Sequence, residues 1–424
     1  MTNWIRRLFT KAASALAIAP RVVVTTLTGI ATDFLSLVSE GYRANALVYA
    51  CIRLKATATA EAPLVVYDTR QSPPVPVAAT APLVQLLQQP NPYMTQYEMV
   101  ELIVTQLELC GVSFWWKQRG RTGQVVALWP LRPDRVVVVR DPQAIIAGYR
   151  YLVDGEAFDL PPQDVLAFNY PDPASPDGGI TGGLGTLQAL ARDVDIDNEA
   201  GLFASSVLQN YATPGLVLRV KTPLTRDEAE QLKRAFRERY GALQRGEPIV
   251  LAGDDVELQP VSYSLNDLAF PDLRALGEAR ICAGFGVPAI LVGAKVGLDR
   301  STFSNVAEAR EYFAETTLAV IWRRLSDQFT VDLAREFDPT YVVRFDTSGL
   351  PAFQRLQEQR AARYLQAFQL GAITRNELRA VLGLPPLDPS VGEQLSVPAS
   401  VADIAVVPPQ LPPGEKFLLL DEVA

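Results

Sequence analysis

GLGTLQALARDVDIDNEAGLFASSVLQNYATPG, residues 183–215, sets the reading of the whole chain. A glycine-rich loop leads into it and Pro214 closes it, and between these stops the apolar residues recur at helical spacing. At about 100° per residue, Leu187, Leu190, Val194, Gly201 and Leu208 fall on one side, with Ile196, Ala200, Phe203 and Val207 almost opposite. Asp193 and Asp197 lie on one flank between the stripes, and Asp195 and Glu199 on the other. One stripe covers one core. Opposed stripes separated by acid fit a stave held between two neighbours, or a helix sandwiched between layers of a single subunit.

Working outward, 424 residues are enough to bury a large core and to make two or three domains. The composition, 48% apolar and 20% charged, is that of an ordinary globular chain. A net charge of −8 argues against gripping nucleic acid through a basic patch, because that mode neutralises phosphates with Lys and Arg. Histidine is absent, which removes the commonest general base and metal ligand, and with them Ser/His/Asp and Cys/His catalysis. Cys51, Cys110 and Cys282 are far apart in sequence and in apolar surroundings, so they read as buried thiols in a reducing compartment.

Before the central helix the pattern is α+β. Residues 1–44 begin with a basic, apolar run that Arg21 cuts short of a membrane span, and they read as a mobile or packing arm; a secretory signal is the other reading. A helix over 45–60 stops at Pro63 before the strand Leu64-Val65-Val66-Tyr67, and Thr95 with Glu98 forms a capping box for a helix running to Leu109. Alternating runs at 112–117, 124–129, 135–140, 148–153 and 164–169 predict an antiparallel sheet region, with a hairpin turn at Gly120–Gly123. Trp115, Trp116 and Trp129 read as core or subunit contact rather than as a stacking platform for bases.

After the central helix, strands at 214–220, 248–251 and 256–262 with a capped helix between the first two predict a compact β-α-β-β insert over 211–263. A second helix spans 264–286. A loop over 287–301 carries Lys295 and Arg300, and a helical pattern from Thr302 to Phe337 would extend about 50 Å. A strand at Tyr341–Phe345, two shorter helices up to 387 and a Pro- and Val-rich flexible tail from Asp388 complete the chain.

The run GGITGGLG at 178–185 lacks the Lys-Ser/Thr of a phosphate-binding loop and the preceding parallel strand of a dinucleotide site, so it reads as a flexible hinge. The acids at 193–199 start like a calcium loop, but the required Gly and terminal Glu positions hold Asn198 and Ala204. A metal-dependent phosphodiesterase using the Asp193–Glu199 cluster is the competing enzymatic reading, and a membrane-associated adaptor using the N-terminal arm is a third.

The order of these pieces resembles the phage portal family, in the branch of long-tailed double-stranded DNA phages. The likeness rests on VYACIRLKATATAEAPLVVYD (48–68), NPYMTQYEMVELIVTQLELCGVSFW (91–115), LWPLRPDRVVV (128–138), the central helix with its closing ATPGLVL, FGVPAILVG (285–293), AEAREYFAETTLAVIWRRL (307–325) and GAITRNELRAVLGLPPL (371–387). The resemblance implies a ring, of twelve subunits, at one capsid vertex of the virion, assembled in the host cytoplasm. It would serve genome packaging by a separate terminase motor, tail attachment and DNA ejection, without catalysis, cofactor, metal or membrane. Its partners would be double-stranded DNA, the terminase large subunit, the major capsid protein and a head-tail connector.

Mapped by order, 45–183 and 302–348 would be the wing, 184–210 and 264–286 the stem, 211–263 the clip, 287–301 the tunnel loop and 349–387 the crown. Asp193 and Asp197, or instead Asp195 and Glu199, would face the channel. Lys295 and Arg300 would touch passing phosphates. Leu187, Leu190, Val194, Leu208, Ile196, Phe203 and Val207 would make the subunit contacts. The chain departs from the family in having Gly185-Thr186 where Ser-Pro is frequent, and its apolar arm has no clear role in the family.

Overall fold

The computed structural model describes residues 33–141, 145–209, 216–220, 227, 230, 256–260, 270–298, 303–350 and 361–395. It divides into two compact units, one through Phe345 and one from Asp346.

The first unit is mixed helix and small antiparallel sheets, as the sequence predicts. Helix α1 (Ala46–Ala60) leads to β1 (Leu64–Asp68), β2 (Val75–Pro76), α2 (Pro82–Gln88) and α3 (Gln96–Cys110). Asn45 caps α1, accepting from the amides of Leu47 and Val48, and the capping box of Thr95 and Glu98 opens α3. Six strands follow: β3 (Val112–Arg119), β4 (Val125–Leu131), β5 (Val136–Asp141), β6 (Ile145–Val153), β7 (Glu156–Leu160) and β8 (Val165–Asn169). They form two three-stranded sheets, β4-β3-β8 and β5-β6-β7. Strand β7 is absent from the sequence reading because its exposed residues hide its period, yet Asp154-Gly155 before it is a hairpin signal; both residues take positive φ, 51° and 84°.

The central helix α4 (Thr186–Gln209) is followed by β9 (Leu216–Val220), which pairs antiparallel with β10 (Val256–Pro260). The insert's helix and its strand at 248–251 lie outside the described residues, apart from Asp227 and Glu230, whose backbone is helical. Helix α5 (Phe270–Phe285) and a short α6 (Lys295–Leu298) precede the long helix, which runs as α7 (Phe303–Phe313), a π-helical stretch Ala314–Leu318, α8 (Ala319–Phe329), a second π-helical stretch Thr330–Ala334 and α9 (Arg335–Phe337). The second stretch has a visible cause. Thr330 Oγ1 donates to the Ser326 carbonyl at 2.7 Å and accepts from the Val343 amide at 2.9 Å, tying the helix to β11 (Tyr341–Phe345). Strand β11 pairs antiparallel with β1, Leu64 opposite Phe345, so the late strand closes on the early one.

The core lies where these meet. Trp115 is fully buried, and Phe168 meets Phe329 edge-on at 5.0 Å between centroids. Trp115 and Trp129, at 0% and 7% exposure, are core side chains, with their indole N–H groups on Ser113 and Gln118. The fold begins earlier than the expected arm boundary at 44. Asp33 caps a turn at Phe34–Ser36, a π-helical stretch Leu37–Tyr42 follows, and Leu37 is fully buried.

In the second unit, residues 361–369 are helical, and α10 (Arg375–Val381) opens on a Thr374–Glu377 capping box. The first residues of the expected tail from Asp388 carry structure, and the rest, 396–424, lies outside the described residues. Asp388 caps α11 (Pro389–Gly392), and Leu395 bridges back to Thr374.

Candidate functional site: the central helix

Helix α4 starts where its backbone crosses another. Gly185 precedes it and is buried, and a Cβ there would stand 2.6 Å from the Leu109 carbonyl and 2.7 Å from the Cys110 amide. A Cβ on Gly183 would likewise strike Gly111 and Tyr170 backbone, and Gly111 itself ends α3 with φ 73°. The glycine-rich run is therefore a close crossing over the end of α3, not the hinge expected from sequence. Two of its amides are held by side chains: Gln188 Oε1 accepts from Gly185 at 2.7 Å and Asp177 Oδ1 from Gly179 at 3.1 Å. The hydroxyls of Ser175 and Thr181 bond Asp177 and hold its carboxyl well below the usual range. A side chain at 185, serine included, would not fit this crossing.

Of the two apolar stripes, one is buried within the subunit. Leu187 and Val194 are at 0% exposure, and full burial of such side chains is worth about 1.5–3 kcal/mol each. Leu187 lies against Gly41 and half-buried Leu190 against Gly284 of α5, each glycine leaving no room for a Cβ. On the other stripe Ile196 is 47% and Phe203 44% exposed, with Leu202 between the stripes at 63%. Val207 and Leu208 belong to the helix, but their side chains lie outside the described residues.

The acidic flanks differ. Asp193 meets Arg280 and Asp197 meets Arg274, both at 3.4 Å and both arginines on α5. Asp197 is 8% exposed and also accepts from Asn45 Nδ2 at 2.8 Å. Asp195 and Glu199 project from the other flank, Glu199 exposed and Asp195 half-buried. Among the described residues no group of acids and cysteines is arranged to hold a metal ion, and no helix is long and apolar enough to cross a membrane. Lys295 opens α6, exposed, with its amide on Glu278 of α5 at 3.0 Å; Arg300 lies outside the described residues.

A buried ion pair that sequence reasoning missed supports the base of α4. Lys55 of α1 meets Glu108 of α3 at 2.7 Å, with side chains 7% and 0% exposed. The Tyr170 hydroxyl donates to the same carboxylate oxygen at 2.7 Å, and burial followed by the Glu108 charge pushes that phenol well above its ordinary value. The polar residues sit inside helices whose apolar spacing dominates, so only their positions 53 residues apart, each amid apolar neighbours, hinted at a pair.

A family model described as phage portal protein matches residues 46–383. The portal protein of Enterobacteria phage HK97 is 24% identical over 358 residues, covering 80% of this chain and 78% of that protein. Among solved structures, the neck of an empty GTA particle computed with C6 symmetry is similar at a TM-score of 0.65 and 26% identity, over 84% of this chain and 94% of that one. The neck of the native GTA particle computed with C12 symmetry is similar at 0.64 and 26%, with the same coverage. None of these comparisons points to a phosphodiesterase. The family match runs from α1 through the central helix and the long helix to the turn after α10, so the chain belongs to the phage portal protein family and has a capsid portal role.

Proposed function

We propose that twelve copies of this chain form a ring at one capsid vertex of the virion, with α4 as the stave of its channel. The observation that carries this is the split of α4: Leu187 and Val194 are buried in their own subunit while Ile196 and Phe203 face outward. An exposed aromatic and a β-branched residue on one helix stripe are ready for a neighbour. The C6 and C12 symmetries of the similar GTA necks support the ring and its twelve subunits.

In this reading DNA slides through without being gripped, which suits an acidic chain in which Arg274 and Arg280 are already engaged by carboxylates. Because Asp193 and Asp197 face α5, the flank that lines the channel is Asp195 and Glu199. Lys295 and Arg300 make the transient phosphate contacts. The β9–β10 insert meets the terminase large subunit, the ring is set in the major capsid protein, a head-tail connector joins after packaging, and assembly takes place in the host cytoplasm. The protein contributes position and passage, and the motor supplies the chemistry.

Light scattering on the purified chain tests the reading. A particle near twelve times 46.3 kDa, with a central channel on imaging, is expected. A monomer that stays so as concentration and salt are varied would sink it.

A further inference from the structure

Cysteines distant in sequence meet in the fold. Cys51 of α1 and Cys282 of α5 are at 0% and 2% exposure, on two helices that pack against each other. Both are free thiols, and their side chains are hydrogen-bonded to one another. When one proton leaves such a pair, the remaining S–H donates to the thiolate. That bond lowers Cys282 below the ordinary cysteine value and raises Cys51 above it. Cys110 is the contrast. Its Sγ donates to the carbonyls of Gln106 and Val112 at 3.3 and 3.4 Å, and burial pushes its thiol up to about 12.

A single thiol in a core packs as a small apolar side chain and stays inert. Two in contact can do more, because each can resolve the oxidised form of the other. The helices they sit on are joined to α4 by polar links, Arg274 and Arg280 from α5 and Asn45 from α1. A covalent bond between Cys51 and Cys282 would tie α5 directly to the helix that leads into the core strand β1. We propose that peroxide converts Cys51 and Cys282 into a disulfide that staples the stem helix α5 to the core helix α1. The setting rests on the ring reading above: the chain folds in a reducing cytoplasm and leaves it in a particle, so the staple closes after assembly.

The chemistry balances without another reactant. Hydrogen peroxide is barely larger than water and reaches the pair through local opening. The Cys282 thiolate attacks one peroxide oxygen, the O–O bond breaks, and the departing hydroxide takes the proton that Cys282 gave up. The Cys51 sulfur then attacks the Cys282 sulfenic acid. The S–S bond forms, the S–O bond breaks, and the Cys51 proton completes a second water. Two thiols are oxidised and one peroxide is reduced to two waters.

The test treats the full chain with hydrogen peroxide below its unfolding temperature and counts thiols after denaturation. A fall from three thiols to one is expected, with Cys110 the survivor. A linked Cys51–Cys282 peptide should appear in the mass spectrum, and reduction should restore the full count. Thiols that persist over days, a link through Cys110 or between chains, or a Cys282 sulfinic acid with Cys51 left free would each overturn the proposal. The oxidised chain should also unfold at a temperature about 3 °C or more above the reduced one. In Cys51→Ser that gap between oxidised and reduced samples should vanish. A disulfide that forms and leaves the unfolding temperature unchanged, or a gap that survives in Cys51→Ser, removes the staple. A chain that closes the bond and forms no ring overturns the ring reading and leaves the disulfide standing.

Discussion

Asn45 and Asp197 are 152 positions apart in the chain, and their side chains are bonded at 2.8 Å. The same asparagine caps α1 through its oxygen, accepting from Leu47 and Val48 at 3.0 and 3.1 Å. One side chain thus starts the first helix of the core and fixes the central helix beside it. The cap and the tether can be separated. Asp caps as well as Asn but cannot donate, and at position 45 it would put a carboxylate against Asp197. Asn45→Asp is expected to cost about 2 kcal/mol or more in urea unfolding of the subunit. Asn45→Asp with Asp197→Asn, which reverses the bond, is expected to regain most of it. An Asn45→Asp variant as stable as the parent would mean that the cap alone matters, and a loss that the double variant does not regain would mean that the bond to Asp197 is not what joins the helices.

The start of α4 makes a second prediction. A Cβ at Gly185 meets the backbone of Leu109 and Cys110, which cannot yield, whereas a Cβ at Gly284 meets only the end of Leu190, including Cδ1 at 2.7 Å. Gly284 is also inside a helix, where alanine is favoured by about 1 kcal/mol. Gly185→Ala should therefore lower the subunit's unfolding free energy by about 3 kcal/mol, and Gly284→Ala by less than about 1. Equal losses would show that the crossing relaxes as readily as a side chain.

Lys55 and Glu108 give the third. Glu108 Oε2 is buried with no hydrogen-bond partner, so the carboxylate depends on Lys55 and Tyr170. Removing the cation by Lys55→Met strands a buried charge and is expected to cost about 3–5 kcal/mol in subunit unfolding. Lys55→Met with Glu108→Leu should recover most of that loss, because an apolar pair needs no compensation. A double variant as weak as the single one would show that the pair also carries local geometry through Tyr170.

Much of this was legible in the sequence and some was not, for physical reasons. The capping boxes at Thr95 and Thr374 are local signals between neighbours, and both helices begin there. The long helix was legible from its stripe, but its π-helical stretch at 330–334 arises from a bond between Thr330 and Val343 that no local pattern encodes. The two stripes of α4 could be read from period alone. Which is covered by the subunit depends on α5 and on Gly41 and Gly284, so it had to be seen in three dimensions. The same holds for the acids: four carboxylates on two flanks are equivalent until Arg274 and Arg280 choose one.

That choice makes the last prediction. Asp193→Lys with Asp197→Lys places lysines against Arg280 and Arg274 and removes one of the two acceptors of the Asn45 amide, so its first effect should be on the subunit itself. A loss of about 3 kcal/mol is expected, chiefly from the buried Asp197 site, since the partly exposed Asp193 pair is worth about 1 kcal/mol at most. Asp195→Lys with Glu199→Lys changes the opposite flank. The ring should still form, while DNA passage in a packaging assay, compared at equal ring mass, slows as phosphates find cations in the wall, most strongly at low salt where screening is weakest. Normal packaging by the Asp195→Lys/Glu199→Lys ring would remove that flank from the channel. If the Asp193→Lys/Asp197→Lys chain instead folds, assembles and stalls DNA, the α5-facing flank lines the passage, and Arg274 and Arg280 stand beside the DNA.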